Sequence, residues 1–140
     1  MKVGNCFFLH RDQLGPDHDP YMKRFKIIDT PLFAIRVHRI LRSDADRHLH
    51  DHPWSFVSFV LRGGYLEYAP HGCGIPGCCQ RREVIAPWVV FHRAADLHRL
   101  RLSRPALTLV FCGPRRREWG FQTESGWVPW RDYLDGATDV

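Results

Sequence analysis

The chain has 140 residues, enough for one compact domain and too few for two of ordinary size, so a single domain over residues 1–140 is expected. Hydrophobic residues make up 44% and charged residues 25%, which excludes a largely disordered chain, and no run approaches the roughly 20 apolar residues of a membrane span. The formal charge of +5 comes almost entirely from arginine; guanidinium groups suit carboxylates and phosphates, which points to an anionic small-molecule ligand or else to an ordinary mixed surface rich in arginine. The basic residues are scattered, with one run at 115–117 and no nucleic-acid-binding motif, which argues against nucleic acid.

The N-terminal stretch MKVGNCFFLHRDQ is interrupted by His10 and Arg11 before it could form the apolar core of a signal peptide, and the expected location is the cytoplasm. Residues 1–20 read as an irregular arm, with Gly15, Pro16 and Pro20 opposing regular structure. Strands are predicted at 33–41 (FAIRVHRIL), 55–62, 65–68, 81–85, 88–92, 98–102 and 106–111, all short and mostly rich in Val, Phe, Leu and Tyr. Turn signals separate them: Gly63-Gly64, Pro70 with Gly72 and Gly74, Pro87, Pro105 and Gly113-Pro114. A short helical turn is predicted over 130–134. Many short strands with no amphipathic helix between them predict an all-β, antiparallel sandwich or barrel.

The stretch DRHLHDHPW places His48, His50 and His52 at a period of two, on one face of an extended strand. Imidazoles gathered on a buried face need something to satisfy their nitrogens, and a metal ion does so with neutral imidazole. A further ligand has to come from a distant segment. Candidates are His92 and His98, with His98 preferred because it opens a strand after the loop 93–97; His38 sits mid-strand and is a weaker candidate. His48 reads as a neighbour of the site or an additional contact.

These residues carry a resemblance. His50-x-His52, three residues, position 56, six residues and Gly63 is similar to the first motif of the cupin superfamily, H-x-H-x3-E-x6-G, and VVFHRAADLHRL resembles its second, with His98 as the last ligand. More narrowly, LHDHPW, LRGGY, LHRL, GPRRREWGF and GWVPW resemble a group of small bacterial and phage cupin-like proteins. Two departures stand out: Phe56 occupies the place of the metal-binding Glu, and Arg93-Ala94-Ala95 replaces P-x-G.

The resemblance implies a cupin-type double-stranded β-helix, or jelly-roll, barrel, a divalent metal held by His50, His52 and His98, and pairing into a homodimer. Some cupins with three histidines, those resembling thiol dioxygenases, use iron to oxidise a chelating small molecule. The leading expectation is therefore an Fe(II) oxygenase acting on a small anionic molecule, with Zn, Ni, Mn or Cu as other metals the ligands would accept. The alternatives are a ligand-binding module without chemistry and a zinc-dependent hydrolase or isomerase.

Arg62 and Tyr65, beside the Gly63-Gly64 turn, are candidate substrate contacts, as are Arg115, Arg117 and Trp119 in the aromatic tail. Asp51 and Asp96 lie beside the ligands in sequence and could orient a ring through its second nitrogen or be loop acids on the surface; Asp51, which faces opposite its neighbouring histidines, reads as a surface acid, and Glu67 and Tyr68 carry no distinguishing signal. Residues 69–80 look like a loop insertion in which His71, Cys73, Cys78 and Cys79 would form a second metal or redox site, a Cys73 disulfide, or an ordinary glycine-rich loop with thiols. Cys6 and Cys112 read as small buried hydrophobes.

Overall fold

A computed structural model describes residues 1–45, 48–73 and 79–136. In chain order the strands are β1 (Lys2–Val3), β2 (Cys6–Leu14), β3 (Met22–Asp29), β4 (Ala34–Ile40), β5 (Leu49–His50), β6 (Phe56–Arg62), β7 (Gly64–Pro70), β8 (Cys79–Ile85), β9 (Trp88–His92), β10 (Arg99–Arg101), β11 (Ala106–Cys112), β12 (Gly120–Thr123) and β13 (Gly126–Pro129), and a single short helix, α1 (Trp130–Gly136), closes the set. Every strand pair is antiparallel. No helix of the described residues is long and apolar enough to cross a membrane.

The seven strands expected from alternation all form, with bounds within two residues of those read from the sequence. The N-terminal segment does not stay irregular. Residues 6–14 form a nine-residue strand that pairs with β3, and apart from the turn at 4–5 and the first residue it is the stretch around Gly15, Pro16 and Pro20 that lacks strand structure. The cause is visible in the pairing. The face that β2 and β3 turn inward carries Asp12, Arg24 and Lys26, which pair with one another, so neither strand shows the apolar alternation that marks a half-buried strand.

One seven-stranded sheet runs in the order β1-β2-β3-β4-β11-β6-β9, and two three-stranded sheets, β10-β7-β8 and β13-β12-β5, complete the architecture. The inner face of the large sheet reads across strands: His38 opposite Thr108, Thr108 opposite Val60, Arg36 opposite Val110, Val110 opposite Ser58, Phe56 opposite His92. An apolar cluster of Val60, Tyr65, Val84, Val90 and Ala106, with Ala86, Leu100 and Leu102 packed on it, joins the large sheet to the β10-β7-β8 sheet. A second, of Ala34, Val110 and Cys112, packs under Trp54 and Phe56. The polar interior lies on this hydrophobic base, and the strand ends that carry the histidines converge above it.

Gly63 makes the β6–β7 turn workable. Its φ of +72° suits a residue without a side chain, and a Cβ there would meet the Pro105 carbonyl oxygen at 2.5 Å.

Candidate metal centre

The ligand segment is held from both sides by backbone. His50 and His98 form an isolated antiparallel bridge, each N–H donating to the other's carbonyl at 2.9 Å. On the opposite edge β5 pairs with β12, setting Phe121 against His50. The His52 N–H donates to the Ala94 carbonyl at 2.9 Å, tying the end of the motif to the loop that delivers His98. Because directly opposed residues in an antiparallel pair carry neighbouring side chains, the backbone pairing alone brings the imidazoles together. Ring centroids are 5.1 Å apart for His50 and His52, 4.9 Å for His50 and His98, and 4.9 Å for His52 and His98.

One ligand atom from each of His50, His52 and His98 falls within 4.8 Å of the others, the arrangement in which one cation could be shared. The Nε2 atoms of His52 and His98 approach to 3.4 Å. Burial lowers the His50 pKa to about 4, helped by the neighbouring His98, and burial with the same histidine neighbours holds His52 well below the ordinary value. Both rings are therefore neutral at pH 7, the form that donates a lone pair.

Carboxylates occupy the far side of two rings. Glu67 on β7, 3% exposed, sits with Oε2 at 3.2 Å from His98 Nδ1 and 2.9 Å from His92 Nε2, while its Oε1 accepts from Arg82 Nε at 3.0 Å and Nη2 at 2.8 Å. Burial alone would raise its carboxyl pKa, but the hydrogen bonds and charges of His92 and His98 outweigh that and hold it well below the usual carboxylate range. Asp44 Oδ2 lies 3.7 Å from His50 Nδ1 and accepts the Leu100 N–H at 2.7 Å. A carboxylate at hydrogen-bond distance, as Glu67 is from His98, orients the ligand imidazole and leaves Nε2 free, whereas Asp44 is too far from His50 for a direct hydrogen bond.

A second constellation, Glu67, His92 and His98, also brings its ligand atoms within 4.8 Å. Its carboxylate is already saturated by Arg82 and both histidines, so it works as a hydrogen-bonded support. The His50-His52-His98 group fits a cation better. Three imidazoles converge there, those of His50 and His52 held neutral by burial, and His52 Nδ1 is buried without a hydrogen-bond partner among the described residues.

Phe56 packs edge-on against His52 at 4.8 Å and against His92 at 5.2 Å, so an aromatic wall stands where the cupin motif places a carboxylate. Trp119 lies 6.3 Å from His50 and stacks on Trp130 at 5.8 Å, roofing the site from the C-terminal hairpin.

Among the other sequence candidates, His92 joins the Glu67 network, whereas His48 turns away and its Nδ1 meets the Tyr133 hydroxyl at 2.9 Å. Arg62 is exposed at the end of β6, and Arg115 is exposed in the segment before β12. Tyr65 is 8% exposed within the apolar cluster, where burial and then Glu67 push its hydroxyl pKa up, so it lies in the core beneath the site. Arg117 pairs with Asp51 at 2.8 Å. His71, Cys73 and Cys79 are exposed, the two cysteines are not joined to each other, and no metal-ligating group forms there among the described residues. Cys78 lies outside the described residues. Cys112 is buried, as read from the sequence, and Cys6 is half-buried.

Asp51 is not a surface acid. It faces away from the histidines as expected, yet it is 2% exposed, because the β12–β13 hairpin covers it: Oδ1 accepts the Gly120 N–H at 2.8 Å and Oδ2 the Trp127 indole N–H at 2.9 Å. Asp96, by contrast, is an exposed loop acid that accepts the Arg93 N–H at 2.7 Å. Glu67 and Asp44 are the functional neighbours that sequence reading missed. The sequence pointed the wrong way for Glu67: between Leu66 and Tyr68, apolar–polar alternation would turn it outward, whereas the structure turns it inward with Tyr65.

No family profile and no curated protein matches the sequence. Solved structures do match in shape. The chain is similar to the polyketide cyclase RemF from Streptomyces resistomycificus (TM-score 0.60, 18% identity, covering 82% of this chain and 79% of that one). It is also similar to a cupin superfamily protein from Desulfitobacterium hafniense (0.53, 9%, 66% and 77%) and to the iron(II) form of HppE (0.56, 14%, 73% of this chain and 56% of that one). This chain thus spans little more than half of HppE. An antiparallel barrel with histidines converging at one end, matched in shape by named cupins, gives this chain the double-stranded β-helix fold of the cupin superfamily.

Proposed function

We propose that the protein is a metal-dependent enzyme, an Fe(II) oxygenase that holds its metal through His50, His52 and His98 and acts on a small anionic molecule. The observation that carries this reading is the convergence of three imidazoles within 4.8 Å, backed by Glu67 and Asp44 and flanked by Phe56 where a carboxylate ligand would otherwise stand. The iron(II) form of HppE, similar in shape, lends support to the choice of metal.

With three neutral ligands a divalent metal keeps its full charge and supplies open coordination positions and a redox couple. The chain's own residues do the rest. Glu67 accepts the Nδ1 proton of His98 and so keeps the Nε2 lone pair directed at the shared point, while Asp44, 3.7 Å from His50 Nδ1, adds only a nearby negative charge. Phe56 keeps one flank dry, and the absence of a carboxylate among the three ligands favours substrates that bring negative charge. In this reading the protein acts in the cytoplasm as a homodimer, supported by the apolar outer face of β11, β6 and β9.

Protein purified without oxygen and loaded with Fe(II) is expected to retain about one iron per chain, and His50→Ala and His98→Ala are expected to lose it, as read by elemental analysis. Oxygen uptake should follow when small carboxylic acids or thiols are added. Turnover that persists without oxygen would replace oxygenation by non-redox metal chemistry, and wild-type protein that holds no divalent metal would end the reading altogether.

A further inference from the structure

The large sheet carries a second polar constellation on its inner face, one strand over from the apolar base of the site. Arg24 makes a two-point contact with Asp12 at 2.8 and 2.7 Å, Lys26 reaches Asp12 at 3.0 Å and Asp29 at 3.9 Å, and Arg36 holds Asp29 at 2.9 and 2.6 Å. Three cations thus share two carboxylates. Arg24 and Lys26 hold Asp12 ionised, its pKa lowered to about 2 against the opposing effect of burial. The cluster therefore retains a net positive charge inside the barrel, where an uncompensated charge is costly unless a ligand completes it.

His38 sits in the middle of this row. It lies directly opposite Arg24 across the β3–β4 pair and on the same face as Arg36. Its Nε2 is buried and has no hydrogen-bond partner among the described residues. Across β11 the same inner face continues from His38 to Thr108 and from Arg36 to Val110. Trp54, which follows the ligand motif, stacks on the Arg36 guanidinium at 4.6 Å and ties the two regions together.

From this placement we infer a substrate subsite in which His38 Nε2 donates a hydrogen bond to the carboxylate of a small carboxylic acid, with Arg24 and Arg36 supplying the compensating charge. This rests on the reading of His50, His52 and His98 as the metal centre only in that a second polar group of the same acid would reach the metal. The side chains that select the substrate are then on β3 and β4, away from Arg62 and Arg115. A ligand held at two points, on a small acid, is a compact dicarboxylate or a hydroxy- or thiol-bearing carboxylic acid.

The test uses malonate and succinate as probes, with malonamide as the uncharged control, on zinc-loaded and metal-free protein. Calorimetry is expected to give binding of at least one dicarboxylate and none of malonamide, and His38→Phe should weaken the dicarboxylate by about tenfold while leaving zinc content unchanged. In wild-type protein the His38 ring resonances should shift on adding the dicarboxylate, a readout that holds even if His38→Phe fails to fold. Neither probe binding, unchanged affinity in a folded His38→Phe, or an unmoved His38 ring would each overturn the subsite. His50→Ala separates the two readings. Loss of zinc with a persisting His38 response leaves the subsite standing alone, and retained zinc with no His38 response removes the subsite while sparing the metal centre.

Discussion

Glu67 concentrates more charged hydrogen bonds than any other side chain at the site, and each does a different job. Arg82 neutralises it from the surface side, His92 anchors it within the sheet, and His98 takes its orientation from it. Glu67→Gln keeps the shape and removes the charge that makes His98 a strong donor. It is expected to weaken zinc binding by roughly 10- to 100-fold, measured by competition with a chelator of known affinity. An equal loss of thermal stability with unchanged affinity would show that the carboxylate merely fills space. His38 supplies a pH prediction with a definite sign. Burial, reinforced by Arg36 and Arg24, lowers its pKa from 6.5 to about 3, so between these values the unfolded chain binds a proton that the folded chain refuses. Its contribution to stability is complete above about 6.5 and is lost as pH falls toward 3. Thermal unfolding of metal-free wild type should therefore fall more steeply over that window than unfolding of His38→Phe; parallel curves would refute it.

At the level of elements, legibility followed chemistry. Strands β6, β9 and β11 were readable because Val, Phe and Leu fill them, with Val60, Val90 and Val110 on the inner face, and β4 because Ile35 and Val37 alternate with Arg36 and His38. Strands β2 and β3 were hidden because ion pairs fill their inner face, and β12 and β13 because tryptophans, glycines and a proline obscured the period. His50, His52 and His98 could be picked out because ligand spacing survives in sequence. Asp44 and Glu67 could not, since their roles depend on which strands end up adjacent. Asp51 is the clearest case, an acid between two candidate ligands whose burial is decided by a hairpin some 70 residues later in the chain. Gly120, within that hairpin, leaves no room for a side chain, as a Cβ would run into the Val128 carbonyl oxygen and the Trp127 ring. Asp51→Ala strands the Gly120 N–H and the Trp127 indole together and leaves Arg117 unpaired, at an expected cost of about 3 kcal/mol in denaturant unfolding. Faster amide exchange at Gly120 and a shifted tryptophan emission should accompany the loss, and exchange left unchanged would mean that the hairpin is held by its own strands.

At the scale of the whole molecule, the outer face of the large sheet poses a question that the interior does not. Val57 lies opposite Phe91 and Phe111, and Phe59 opposite Val89 and Leu109, so apolar side chains run unbroken across β11, β6 and β9. Phe59 and Phe111 pack ring to ring at 5.8 Å, yet each is 40% exposed, while Leu61, Val89 and Phe91 are 53%, 51% and 59% exposed. With aromatic side chains covering about 200 Å² each, the open apolar surface is on the order of 500 Å², at the upper end of what isolated proteins carry. Counting the half-buried rim, it approaches the roughly 800 Å² that one partner contributes to an ordinary stable interface. An uncharged apolar patch on one face of the sheet suits pairing about a two-fold axis, so the occupant expected is a second copy of this chain. Sedimentation should show a dimer. Phe91→Lys combined with Val89→Glu should give a folded monomer, because both side chains point away from the core and their replacement leaves the inner face untouched. Wild-type protein that remains monomeric at its highest soluble concentration would refute the pairing, and a dimer that survives the double substitution would place the interface on another face.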